Sequence, residues 1–276
     1  MASIPRSASL IAGIGSAFGS VQERAVVMRK IALPVGTLLL VLWGWNYVVD
    51  AKIFPSVVLP PPSDVLDMLL MQSGFMYGHA QQTFFECLAG FALAAFCGVG
   101  LAMLITVSRI AREMLYPNLV LFQLIPTIAL APLFVLWFGL GSESRLAYAM
   151  CLSLFPIVVS SSTGLMNTNP YFVRLCDSLT ATRWQILFRV RFPFALPHIF
   201  TGMRIGLTLA IIGVIVGEFV TAQSGIGYLI SFASSSLETA LALAAIVFLL
   251  AVGMLLFLIL MLVEYIMNYI FSSEDR

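Results

Sequence analysis

The chain has 276 residues, 61% of them hydrophobic and 10% charged, with a formal net charge of +1 and a mean hydropathy of +1.02. A soluble domain carries about 25% charged residues, so this composition excludes an ordinary water-facing enzyme or binding domain. The 14 Lys and Arg residues are dispersed, which excludes a nucleic-acid partner, because phosphate binding needs a concentrated basic face.

In chain order, residues 1–28 read as a cytoplasmic tail, followed by Arg29 and Lys30. Its weak apolar patch at 10–18 has only a thin charged region for a signal peptide. A hydrocarbon core of about 30 Å takes roughly 20 helical residues to cross, and six apolar stretches are long enough: 31–49, 83–107, 115–138, 146–165, 199–220 and 240–270. The third holds Pro117, Pro126 and Pro132 and the fourth Pro156, so kinks are expected, with neighbouring helices satisfying the freed carbonyls. Residues 29–271 therefore form the membrane domain, and 272–276 a short tail.

Between the first two spans, Pro60, Pro61 and Pro62 stop one element, and Ser63 is placed to cap a short helix reaching about Met71. The second span carries Gly90, Ala94, Gly98 and Ala102 at helical spacing, and the fifth carries Gly202, Gly206, Ala210, Gly213 and Gly217. Lipid supplies no hydrophobic drive for helix association, so small residues that permit close approach predict buried, packed helices. The uncharged, Gly- and Ser-rich stretch 222–236 fits either a re-entrant piece or an ordinary loop.

Lys and Arg accumulate on the cytoplasmic side of a membrane. They fall in the tail (Arg6, Arg24, Arg29, Lys30), the second connection (Arg109, Arg112) and the fourth (Arg174, Arg183, Arg189, Arg191), whereas the opposite side holds only Lys52 and Arg145. Both termini are thus expected inside, with loops 50–82, 139–145 and 221–239 outside.

The fourth connection, residues 169–197, is the most informative segment. Asn169-Pro170 is a cap followed by proline at the first helical position. Thr182-Arg183-Trp184-Gln185 fits a capping box, in which hydroxyl and amide satisfy each other's orphan donors. Trp184, Leu187 and Phe188 share one face of the helix that follows, and Pro193 and Pro197 are expected to end it. This pattern predicts a rigid knob. From the residues alone, docking on anionic lipid and docking on a protein are both open.

The run Ser178-Leu179-Thr180-Ala181-Thr182-Arg183-Trp184-Gln185, then Phe192-Pro193-Phe194-Ala195-Leu196-Pro197 and Thr201-Gly202-Met203-Arg204, resembles the EAA loop of bacterial ABC importer permeases. More narrowly it resembles the nitrate, sulfonate and taurine permeases and their relatives proposed to carry thiamine-precursor pyrimidines. The likeness runs in order over about 55–270, through Leu59-Pro60-Pro61-Pro62-Ser63, Leu130-Ala131-Pro132-Leu133, Trp137-Phe138-Gly139-Leu140-Gly141, Val216-Gly217-Glu218-Phe219 and Gly225-Ile226-Gly227-Tyr228. It implies an all-α type I importer permease of about six transmembrane helices in the bacterial inner membrane. The implied partners are a second copy of the chain, two cytoplasmic ATPase subunits that bind the ATP and Mg, and an extracytoplasmic solute-binding protein. The knob is implied to be the ATPase-coupling loop.

Two departures stand out: Arg174-Leu175-Cys176 where such permeases have Glu-Ala-Ala, and Thr180 where they have a loop glycine. A β-branched residue serves there only if the break needs no positive φ. The chain has no GxxxxGK[ST] run, and neither of its lysines follows a glycine-rich segment, so the motor is expected on another chain.

Ionisable residues within spans are expensive and point to function by default. Glu86 and Glu218 fall near outer ends, Arg204 and Glu264 near inner ends at a shared depth. The latter two are expected to pair or snorkel. Glu86, which stands where relatives commonly carry a basic residue, and Glu218 either face the pathway, favouring a cationic or neutral solute, or reach headgroup water. No carboxylate sits mid-span, which weakens the alternative of an ATPase-independent secondary transporter or channel. His79 and His198 are placed on opposite sides, which weakens a membrane enzyme. Cys87, Cys97, Cys151 and Cys176 have no metal-ligand spacing and are expected to be neither bridged nor metal-bound.

Overall fold

A computed structural model of the protein describes residues 32–122, 124–221 and 223–272; the basic residues of the tail 1–28, the patch at 10–18 and residues 273–276 lie outside them. The chain divides into two units, one ending at Val65 and the other beginning at Leu66. In the first, α1 (Ala32–Asp50) is long and apolar enough to span a membrane. Its Trp45 donates an indole hydrogen bond to the carbonyl of Pro60 at 3.0 Å. Helix α2 (Pro62–Met71) follows, with proline itself at the first position. Ser63 lies inside the helix and bonds to the Asp64 carboxylate at 3.3 Å, so the expected serine cap is not formed.

The second unit is built around α6 (Ser142–Met166), which packs between α3 (Ser73–Val107) and α9 (Phe192–Thr221). The glycine stripes make this approach possible. A Cβ at Gly90 would lie 3.0 Å from that of Ala149, and one at Gly213 would lie 2.9 Å from the Ala149 Cα. One turn-pair further on, a Cβ at Gly98 of α3 or at Gly206 of α9 would lie 2.8 Å from the Ile157 side chain. Ser153, fully buried, donates a 2.8 Å hydrogen bond to the Gly206 carbonyl, the kind of polar contact that joins helices in hydrocarbon. Both stripes are therefore consumed by packing on α6.

Helix α3 begins ten residues before the apolar stretch that marks it, because its first turns (Ser73 to Gln82) are polar yet still helical. The third expected span is not one helix. It comprises α4 (Arg109–Phe122), a 3₁₀ turn (Thr127–Leu130) and α5 (Ala131–Phe138), with a bend of 97° between the two halves. Pro126 immediately precedes the 3₁₀ turn and Pro132 occupies the start of α5, where a proline's missing backbone N–H costs least; Pro117 and Pro156 instead lie inside α4 and α6. The stretch 222–236 is mostly a helix, α10 (Ile226–Ser235). It packs against α9, α3 and the last span, α11 (Thr239–Ser272).

Pro193 and Pro197 do not end a helix. α8 (Arg183–Ile186) passes through a π-helical turn (Leu187–Arg191) straight into α9, giving one continuous helical stretch over Arg183–Thr221. In the π turn the Phe192 N–H reaches the Leu187 carbonyl, a wider loop than the α pattern. It falls immediately before Pro193, whose ring would otherwise crowd the preceding turn.

Candidate functional site

The segment 169–197 folds as its local signals dictate. Asn169 accepts a hydrogen bond from the Tyr171 N–H at 3.0 Å and starts α7 (Pro170–Ser178). At the other side of the break the capping box closes: Gln185 N–H donates to Thr182 Oγ1 at 3.3 Å, and Thr182 N–H donates to Gln185 Oε1 at 2.7 Å. The break itself is a Schellman turn. Ala181 N–H donates to Cys176 O and Thr180 N–H to Asp177 O, both at 3.0 Å, and the residue between the cap and Ala181 must turn left-handed. That residue is Thr180, at φ +59°. The expectation that a threonine serves only without positive φ is overturned, because two backbone hydrogen bonds hold it there.

The knob is anchored inward and apolar outward. Ile186 and Leu187 are buried, and Leu187 joins Ala102, Leu165, Ala195 and Ile199 in one cluster, tying the knob to α3, α6 and α9. Outward, Leu175, Leu179, Trp184 and Phe188 are exposed, with the Trp184 and Phe188 rings stacked at 6.1 Å. Arg174 lies over the Tyr171 ring at 5.8 Å. Ser178 bonds back to the Leu175 carbonyl at 2.7 Å, Ala181 is partly buried and Arg183 exposed. Pro193 and Pro197 lie in the first turns of α9.

The intramembrane charges separate into two groups. Arg204 and Glu264 pair at 2.6 Å between α9 and α11, half exposed on the arginine side. Glu86 and Glu218 do not reach headgroup water: they are 6% and 1% exposed. Arg145, assigned to an outer loop by sequence, instead lies in the first turn of α6, 4% exposed. It grips Glu86 through Nε at 2.7 Å and Nη2 at 2.6 Å. Further partners complete the set: Gln82 donates to Glu86 at 3.2 Å, and Arg145 donates to Thr221 at 3.4 Å and Ser142 at 3.2 Å.

Glu218 caps α10. Its Oε2 accepts the Gly227 N–H at 2.6 Å and its Oε1 the Thr83 hydroxyl at 2.7 Å. Thr83 Oγ1 in turn accepts the Ile226 N–H at 2.8 Å, and His79 Nδ1 the Gly225 N–H at 2.9 Å. Three orphan donors of the α10 N-terminus are thus satisfied by side chains of α3 and α9, with a carboxylate at the positive end of the helix dipole. Gly225, at φ +109°, has no room for a Cβ because the Glu218 carboxylate occupies that space.

Residues 90–272 match the family model described as the inner membrane component of binding-protein-dependent transport systems. The chain belongs to this family.

Among curated relatives, the formylaminopyrimidine transport permease protein of Halalkalibacterium halodurans is 35% identical over 69% of this chain and 76% of its own length. The taurine transport system permease protein of Escherichia coli K12 is 32% identical over 83% of this chain and 86% of its own. In fold, a chain of the MetNI methionine ABC transporter, solved in inward-facing conformations, superposes with a TM-score of 0.54. That match covers 76% of this chain and 99% of the other, at 18% identity. The protein is therefore a multi-pass ABC permease of the importer type, a non-catalytic translocation component.

Within this permease the sequence reading missed Arg145, Thr83 and His79 as parts of one cluster. For Arg145 the signal was available: it lies at the same end of its span as Glu86, the depth argument that brings Arg204 to Glu264. For Thr83 and His79 there was none, since both accept from backbone N–H groups at the start of α10 and only the fold brings the Thr83 hydroxyl to Glu218.

Proposed function

We propose that this permease moves a small organic or anionic solute, of the sulfonate, taurine, nitrate or pyrimidine type, into the cytoplasm, working as a dimer with a second copy of itself. Two separate ATPase subunits, holding ATP and Mg, dock on the loops at 169–197, and a solute-binding protein delivers cargo to the other face. Both chain termini lie on the ATPase side. The observation that carries the coupling reading is the continuity of the knob with α9: exposed Trp184 sits on a capped helix that runs unbroken to Thr221. Displacing the knob therefore displaces a central span, and the pathway changes the side to which it opens.

The relatives' named cargoes, taurine and formylaminopyrimidine, share small size and polarity. The two carboxylates are no guide to cargo charge, because each already has a full set of partners inside the bundle. Cargo identity is best read from a thermal-shift panel on the cognate solute-binding protein.

The coupling test is Ala181→Glu with Arg183→Glu in the reconstituted transporter. Transport is expected to fall while the ATPase runs free of cargo control and the permease melts normally; unaltered transport refutes the docking role.

A further inference from the structure

A pocket of about 310 Å³ opens between the turn joining α3 to α4 and the inner side of the coupling loop. Four arginines line it: Arg109 and Arg112 from the α4 side, Arg183 and Arg191 from the knob side. Asp177 is the one carboxylate among the lining residues, and it makes no ion pair with any of them among the described residues. Arg109 is engaged by Glu113 at 2.8 Å on an exposed helix face. Arg191 donates to the Leu165 carbonyl at 3.3 Å. Arg112 and Arg183 have no carboxylate partner among the described residues.

Guanidinium groups gathered around one cavity repel each other, and an isolated aspartate offsets only part of that cost. The lining charge, four arginines against one aspartate, favours an anion. Guanidinium forks match the oxygens of a phosphate and bind them bidentately, with charge-assisted hydrogen bonds about twice as strong as neutral ones. Depth on the molecule narrows the class further. The other lining residues include Thr106 and Val107, the last residues of the span α3, and the buried Ile186 and Leu187. The pocket thus lies where an apolar span gives way to a basic surface, the level at which lipid phosphates sit.

We propose that this pocket binds a phosphate-class oxyanion, supplied by an anionic lipid headgroup or by soluble phosphate, which braces the coupling loop against α3 and α4. With the anion in place the knob and the bundle are bridged by one ligand on both walls. Without it, the charge on the two walls pushes them apart. The stiffness of the coupling loop, and with it the fraction of ATPase strokes that reach α9, then depends on the surrounding phosphate.

Hydrogen–deuterium exchange on the full-length permease in lipid nanodiscs tests this. Three preparations are compared at equal ionic strength: phosphatidylcholine alone, phosphatidylcholine with inorganic phosphate, and phosphatidylcholine partly replaced by phosphatidylglycerol. Peptides over 170–191 are expected to exchange about tenfold more slowly when the anion is present at ten times its Kd. Slowing by phosphatidylglycerol alone assigns a lipid headgroup, and slowing by inorganic phosphate in phosphatidylcholine assigns soluble phosphate; either supports the site. The variant Arg109→Gln/Arg112→Gln, which leaves the knob's own residues intact, is expected to lose the effect while α11 exchanges as in the parent. Arg112→Lys, keeping charge without the fork, is expected to keep part of it. No slowing by either anion source, or equal slowing in the double variant, overturns the proposal. Slowing only when the ATPase is added also overturns it and gives the pocket to a protein contact.

Discussion

Arg145 and Glu86 form a bidentate ion pair between the first turn of α6 and the N-terminal half of α3, with less than a tenth of either side chain exposed. A buried pair of this kind costs desolvation to form, yet removing one partner strands the other's charge in the bundle, at about 3–5 kcal/mol. Glu86→Gln and Arg145→Gln are each expected to lower the melting temperature of the detergent-purified permease strongly. The double variant, with no stranded charge, is expected to recover part of the loss. A double variant as unstable as the sum of the singles would mean that the two residues act separately.

The glycine at 213 faces the Ala149 backbone, where a Cβ would lie 2.9 Å from a Cα. Gly213→Ala is expected to destabilise the bundle by about 1–3 kcal/mol, because neither helix yields without moving the other. Gly253, where an added Cβ would meet Ile211 Cδ1 at an ordinary 3.7 Å, supplies the control: Gly253→Ala should melt at or slightly above the parent. Thermal unfolding in one detergent compares the pair.

Thr180 occupies the left-handed region that a β-branched side chain disfavours by about 1–2 kcal/mol. Thr180→Gly is therefore expected to stabilise the knob by about 1 kcal/mol, after the greater freedom of glycine in the unfolded chain is offset. Slower hydrogen exchange at Thr182 to Ile186 would register it. Unchanged or faster exchange there would show that the strain is relieved elsewhere.

The capping box gives a matched local test. Thr182→Ala removes the acceptor for the Gln185 N–H and is expected to cost about 1 kcal/mol of knob stability, while Thr182→Ser restores it. If coupling passes through α8, cargo-stimulated ATPase activity should fall in the alanine variant and return with serine.

Glu218→Gln keeps one acceptor oxygen for the α10 N-terminus but removes the charge that complements its dipole, at about 0.3–2 kcal/mol. Faster exchange at Leu229 to Ala233 is expected, with α11 unaffected. Uniform loosening of the whole bundle would instead point to a global packing defect.

What the sequence discloses here depends on how far away a residue's partner lies. Thr182 and Gln185 satisfy each other within one turn, so their pairing is readable from spacing alone. The glycine stripes are readable because close approach leaves a helical period of small residues, although in the partner, α6, the small residues Ala149, Ser153 and Ser161 are interrupted by Ile157. Arg145 is readable from its depth as a partner for Glu86, but its burial is not, since only the tertiary placement of Glu86 makes burying a guanidinium tolerable. The bend in the third span and the π turn before Pro193 lie between these cases. Proline announces that the α pattern will fail, but whether the chain stops, bends or widens its loop is decided by what packs around it.

That wider loop makes one piece of polypeptide answerable at both ends. The helical stretch that begins at Arg183, beneath the proposed ATPase, reaches Glu218, whose carboxylate holds α10 and the Thr83 hydroxyl. News of the motor's state need not be handed from helix to helix to reach the far face of the bundle. Under the proposed coupling it travels along a single rod, and a lesion at Glu218 should then alter how firmly the permease resists its ATPase without touching it.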